Sequence, residues 1–169
     1  MFVLGIDPGL TRCGFGLVEG SCEGPDAMRA VRAGVLETDP ELEVERRLAQ
    51  IHEDLAELLD ETRPDAVVVE RVFFQRNALT AIPVAQASGV AIGLAGSLGF
   101  SVRQFTAQQV KLAVTGYGAA SKEQVQEMVA RLLNLAEVPR PADAADALGL
   151  AITYLATERF ERRYATVGS

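Results

Sequence analysis

The chain is poor in the residues that build zinc sites and disulfide frameworks: its 169 residues include one histidine and two cysteines. Ligands of a His/Cys metal site come in clusters. His52 alone, read as a surface residue, and the separated Cys13 and Cys22 therefore exclude one. The two cysteines have no disulfide framework around them, so reduced thiols in a cytoplasmic protein are expected. No basic N-terminal region precedes a long apolar run, and no signal peptide is expected. Charge is absent between Arg76 and Arg103. That gap still carries Asn77, Thr80, Pro83, Gln86 and Ser88, which suits a buried core helix and not a membrane span. Internal repeats, low-complexity segments and a glycine-rich phosphate loop of the Walker type are also missing.

What is present fits one packed domain. Hydrophobic residues make up 49% of the chain, enough for a substantial core at this length. A formal net charge of -7 argues at first against a polyanionic partner. Its distribution changes that reading. Residues 37–65 hold eleven acids against three bases, and the remainder holds twelve acids against thirteen bases. One acidic segment accounts for the imbalance, so the rest of the surface is free to present a cationic face.

Hydrophobic periodicity predicts a three-stranded antiparallel opening over residues 2–7, 14–18 and 28–36. A helix follows over 40–62. Val44, Leu48, Ile51, Leu55 and Leu58 form its inner face, Asp39 and Pro40 its start signals, and Arg63-Pro64 its stop. Residues 66–70 are a short apolar run, the pattern of a strand buried on both faces. A strand reached through a helix lies parallel to its neighbour, so this one is placed beside residues 2–7. Further on, the sequence predicts helices over 79–98, 107–114, 122–133 and 142–157, with a last strand over 101–106. Thr106 caps the second of these helices and a Ser121–Gln124 capping box starts the third. Residues 159–169 are expected to be loosely ordered.

Asp7 closes the first strand, ahead of Pro8-Gly9, and Glu70 closes its parallel neighbour. Parallel strands end on one edge, so the two carboxylates should project into one crevice. Asp143 and Asp146 share a helix face at i and i+3, among alanines small enough to let that helix approach the sheet. Singly, each acid has an ordinary structural explanation: Asp7 as a turn cap, Asp143 and Asp146 as acids favoured at a helix N-terminus. Together they would repel one another unless a cation sat among them. Oxygen-only ligands point to Mg²⁺ or Mn²⁺, and two such ions about 3.5–4 Å apart are a common means of phosphodiester hydrolysis.

Four motifs then fall into order: Gly5-Ile6-Asp7-Pro8-Gly9, Glu70-Arg71-Val72-Phe73, Gln109-Val110-Lys111 and Ala142-Asp143-Ala144-Ala145-Asp146-Ala147. Over residues 2–156 this set resembles the bacterial RuvC family of Holliday-junction resolvases. The resemblance implies an α/β, RNase H-like fold: a mixed five-stranded sheet, three strands antiparallel and the others parallel, flanked by helices. It implies a nuclease domain over 1–157 with a C-terminal tail over 158–169, and a homodimer, which the Ala/Gly-rich helix over 79–98 could join. The implied activity is that of a Mg²⁺-dependent endodeoxyribonuclease in recombination and repair. It makes paired symmetrical nicks in four-way junctions, at short T-rich sequences, leaving 5′-phosphates and 3′-hydroxyls.

By the same resemblance Asp7, Glu70, Asp143 and Asp146 are the catalytic metal ligands for two Mg²⁺ ions, with Mn²⁺ as a substitute, and Asp7 bridges both. Lys122 joins the catalytic group, and Lys111 and Lys122 contact phosphates, although sequence alone reads both as solvated lysines. Phe73 is the base-stacking aromatic, worth about 1–3 kcal/mol if exposed; the alternative is a core phenylalanine. Phe74, Arg76 and Asn77 complete the DNA-contacting group. The family works with the RuvA-RuvB branch-migration complex. Two rivals share some of these features: an actin-like ATP-binding module, which has the same Gly-Ile-Asp opening, and a junction-binding scaffold without catalysis.

Overall fold

The computed structural model describes residues 1–22, 28–72 and 78–165, apart from the side chains of 78–80. Five strands form one sheet: β1 (Phe2–Asp7), β2 (Arg12–Glu19), β3 (Arg29–Glu37), β4 (Ala66–Glu70) and β5 (Ser101–Phe105). Their spatial order is β3-β2-β1-β4-β5. The β1–β2 and β2–β3 pairs are antiparallel, whereas β1–β4 and β4–β5 are parallel. Five helices flank the sheet: α1 (Val44–Thr62), α2 (Ala78–Ser97), α3 (Ala107–Thr115), α4 (Lys122–Leu132) and α5 (Ala142–Ala165). The mixed sheet is the architecture expected from the sequence. Among the described residues no helix is long and apolar enough to cross a membrane.

β4 is as deeply buried as its composition requires, with Ala66, Val67, Val68 and Val69 all at 0% exposure. Its alternating side chains feed two cores. Val68 joins Val3, Val18, Leu148 and Ile152 on the side of α3, α4 and α5. Val67 and Val69 join Leu4, Ile6, Ile51, Leu55 and Leu59 on the side of α1 and α2. Each fully buried aliphatic side chain contributes about 1.5–3 kcal/mol.

Several helix ends follow local chemistry. Thr106 and Ser121 both form complete capping boxes, with Gln109 and Gln124. Arg63 adopts the left-handed conformation (φ 41°) after α1, and Gly116 does so (φ 74°) after α3. Two boundaries differ from expectation. α1 starts at Val44, not at residue 40, because Asp39 accepts from the Glu41 amide (2.9 Å) and its carbonyl from Leu42 N–H (3.2 Å), closing a separate turn first. α5 continues to Ala165, through most of the segment expected to be loose. Arg103 on β5 pairs with Glu158 (3.1 Å) and Glu161 (2.9 Å), Arg159 donates to the Ser21 carbonyl, and Phe160 stacks on Tyr164. These tertiary ties carry the helix on. Residues 166–169 lie outside the described residues. Cys13 and Cys22 are free and buried, and His52 is exposed, as expected.

The feature that positions the site is the seat of α5. A methyl group on Gly5 would stand 1.9 Å from the Ala147 carbonyl oxygen, and one on Gly14 would stand 2.2 Å from the Asp143 carbonyl oxygen. Here the backbone of β1 and β2 meets the backbone of α5 directly, with Ala144, Ala145 and Ala147 buried in the contact. Since Asp7 pairs with Gly14 across β1 and β2, the start of α5 is set down beside the end of β1.

Candidate active site

Asp7 and Glu70 end adjacent parallel strands whose last paired residues are Ile6 and Val69. Their side chains meet in a hydrogen bond. Two carboxyl groups this close disfavour one another's ionisation unless a cation lies between them. Burial above all, then the charge of Glu70 and its hydrogen bond, then Asp146 and Asp143, push the Asp7 carboxyl up to about 8. Burial raises Glu70 as well, opposed by the hydrogen bond from Asp7. Asp146 is also raised by burial, against the pull of Lys122, whose ammonium lies 2.6 Å from Asp146 Oδ2. That hydrogen bond in turn raises Lys122.

These groups open onto one cleft of about 320 Å³. Asp7, Glu70, Asp146, Lys111 and Lys122 supply its polar lining, over apolar walls that include Val110 and Leu150. Asp143 does not line this volume. It sits one turn earlier on α5, close enough for its charge to act on Asp7, and accepts a hydrogen bond from Arg12 Nε (3.0 Å). Three separate elements, β1, β4 and α5, thus bring the four predicted acids to one sheet edge. Lys111 on α3 and Lys122 on α4 reach the same place. Phe73, Phe74, Arg76 and Asn77 lie outside the described residues.

The donor set suits a hard divalent cation, since it consists of carboxylate oxygens on rigid elements. The Asp7 carboxyl is the more specific sign: burial and three neighbouring acids oppose its ionisation, an opposition that a bound cation would relieve. Among the described residues no three His, Cys, Asp or Glu side chains already form a metal cage. Asp146 is turned to Lys122 and Asp143 to Arg12, so the acids are converged but compensated by protein cations.

Sequence reasoning passed over Arg12, Glu37 and Arg47. Arg12 bridges Asp143 and Glu37, while Arg47 is nearly buried (9% exposed) and reaches Thr38 and Thr11 beneath them. An arginine five residues after the first acid was a visible signal, but its meaning depends on β2–β3 register and on the seat of α5.

Comparison with known proteins points one way. Residues 3–154 match the family model described as crossover junction endodeoxyribonuclease RuvC. The chain is similar to the crossover junction endodeoxyribonuclease RuvC of Frankia alni, at 55% identity over 92% of this chain and 78% of that one. Its similarity to the enzyme of the same description from Thermomicrobium roseum is 47% over 94% and 95%. Among solved structures, Thermus thermophilus RuvC in complex with Holliday junction substrate superposes with a TM-score of 0.88, at 38% identity over 95% and 96% of the two chains.

Proposed function

The chain belongs to the RuvC family of crossover junction endodeoxyribonucleases, and on that premise we propose that it resolves four-way DNA junctions by paired symmetrical nicks in recombination and repair. The observation that carries this reading is the convergence of Asp7, Glu70 and Asp146 on one cleft, with Asp143 at its margin and the Asp7 carboxyl pushed up by burial and its acidic neighbours. An RNase H-like sheet puts the ends of two parallel strands where a phosphodiester can enter, and Lys111 and Lys122 balance the acids there.

Asp7, Glu70, Asp143 and Asp146 would hold divalent metal, Mg²⁺ in two positions with Mn²⁺ as substitute, which when bound supplies positive charge for water activation and for the leaving 3′-oxygen. The chain's own groups prepare that state. Asp7 and Glu70 would both be ionised in that state. Lys122 leaves Asp146 for a non-bridging phosphate oxygen, where its charge counters the charge developing on the phosphate. Lys111, from α3, holds a neighbouring phosphate. Products with 5′-phosphate and 3′-hydroxyl ends follow from attack at phosphorus with departure of the 3′-oxygen.

Phe73 stacks on an unpaired base at the branch point, and Phe74, Arg76 and Asn77 contact the DNA beside it. Symmetrical cutting needs two sites, which supports a homodimer. α2 offers it a face: Ile82 is half exposed, and Gly89, Gly93 and Gly96 on the same side have open space before them. The RuvA-RuvB complex is the proposed branch-migration partner, in the cytoplasm.

A synthetic four-way junction incubated with and without Mg²⁺ tests the proposal. Asp7→Asn and Asp146→Asn should each bind the junction with near-normal affinity and fail to nick it, a loss of about 10³-fold or more where a metal ligand is removed. Wild-type nicking rates in either variant, or metal-independent nicking by the parent, would refute it.

A further inference from the structure

We infer that Arg12, anchored by Glu37, is a positioning residue that holds the Asp143 carboxylate ready for a divalent cation. The inference rests on the metal-dependent reading above and concerns two residues that reading does not use.

The two aspartates of α5 are compensated in different ways. Lys122 meets Asp146 Oδ2 at 2.6 Å, so its charge is directed into the cleft. Arg12 is shared. Its NH1 lies 2.7 Å from Glu37 Oε1 and its Nε 3.0 Å from Asp143 Oδ2, so the shorter contact points away from the site. A guanidinium already neutralised by Glu37 does little to cancel the charge on Asp143. What it gives is direction: one N–H on one carboxylate oxygen, in a planar group whose other edge is fixed. Carboxylates that ligate metals are commonly held by such outer hydrogen bonds.

The pair is built into the sheet. Arg12 and Glu37 are directly opposed in the β2–β3 register. Their chain neighbours Thr11 and Thr38 are bonded together, the Thr38 amide donating to the Thr11 carbonyl at 3.1 Å. Below them Arg47 donates from Nε to Thr38 Oγ1 (2.9 Å) and from NH2 to Thr11 Oγ1 (2.6 Å), and Thr38 Oγ1 donates to the Leu10 carbonyl (2.6 Å). The backbone carrying both partners is therefore held from beneath by a nearly buried arginine. The Arg12–Glu37 pair itself is well exposed, with side chains at 41% and 64%, and such pairs add little to stability. Orientation of Asp143 is the effect left to it.

Mn²⁺ titration of the DNA-free protein, read by electron paramagnetic resonance of the free ion, tests this beside thermal melting. Arg12→Gln should weaken Mn²⁺ binding about 10–100-fold with a nearly unchanged melting temperature. Glu37→Gln should weaken it less, the double variant no more than Arg12→Gln alone, and Arg12→Lys should recover part of the loss. Glu37→Gln leaves Arg12 in place and serves as the second test if Arg12→Gln melts early. Unchanged or tighter binding in Arg12→Gln would show that Arg12 competes with the cation and would overturn the inference, as would unchanged binding in Glu37→Gln. Absence of Mn²⁺ binding by the parent protein would instead sink the metal reading beneath it.

Discussion

On one side of the sheet α5 lies against Gly5, Gly14 and Gly16, where a Cβ on any of the three would fall within 3 Å of an α5 atom. On the other side α1 and α2 are held off by Leu4, Ile6, Leu17, Ile51, Leu55 and Leu59. The first contact is made largely backbone to backbone; the second is a layer of branched side chains. A side-chain layer can adjust by rotamer changes and tolerates swaps of similar volume. A backbone contact cannot. The candidate active-site edge is built on the side that cannot adjust, since Asp143 and Asp146 ride on α5, whereas the adjustable side carries mostly cohesion. Geometry and stability are thus assigned to opposite faces.

That division can be broken by experiment. Among substitutions that leave all four acids in place, the largest change in nicking is expected for Gly14→Ala. Its methyl would press on the Asp143 carbonyl and lift the start of α5, and displacements near 1 Å cost about 10²-fold in rate. Junction binding should change far less; equal nicking by Gly14→Ala and the parent would mean that the α5 seat gives. Leu55→Ala, fully buried between α1 and the sheet, should do the reverse. It should lower stability by about 2–5 kcal/mol in urea unfolding and leave the nicking rate of the folded fraction unchanged. A rate loss larger than the stability loss would show that the faces are coupled.

A third test is a slope with pH. Asp7 is held near 8 in the folded protein against 3.8 for an ordinary aspartate. Between those values the folded state keeps a proton that the unfolded chain has released, so stability of the metal-free protein should fall as pH rises from about 4 to 8. Melting temperatures in chelator across that range should show the decline, and Asp7→Asn should flatten it. A flat profile in the parent would mean that no acid of the cleft is raised in the folded protein. Mg²⁺, which favours the ionised acid, should raise the melting temperature more at pH 8 than at pH 5.

The same division explains what could be read from the sequence. β4 was legible because an unbroken apolar run followed by an acid has few other uses, and a helix before it implied the parallel pairing with β1. The four acids were legible because each stands at the end of a strand or the start of a helix. The alanines around Asp143 suggested a close approach, but the glycines that receive them read only as part of an alternating strand; complementarity between distant segments has no local signature. The reach of α5 to Ala165 was hidden for the same reason, since its charges are held by Arg103 from another strand. Arg12 was hidden because its partners stand 25 and 131 residues away. The turn at Asp39 was a local matter: the same residue type starts helices and closes turns, and here the turn came first.

The seat of α5 also limits how this chain can change in length. A residue added between Asp146 and Ala147 would turn both aspartates about 100° relative to the contact with Gly5, carrying Asp146 off the cleft. The same change beyond Glu161 would leave the catalytic end of the helix where it is. One continuous helix therefore has a start that cannot be re-phased and an end that can be extended or trimmed, and the boundary between these regimes lies where backbone contact with the sheet gives way to side-chain pairing.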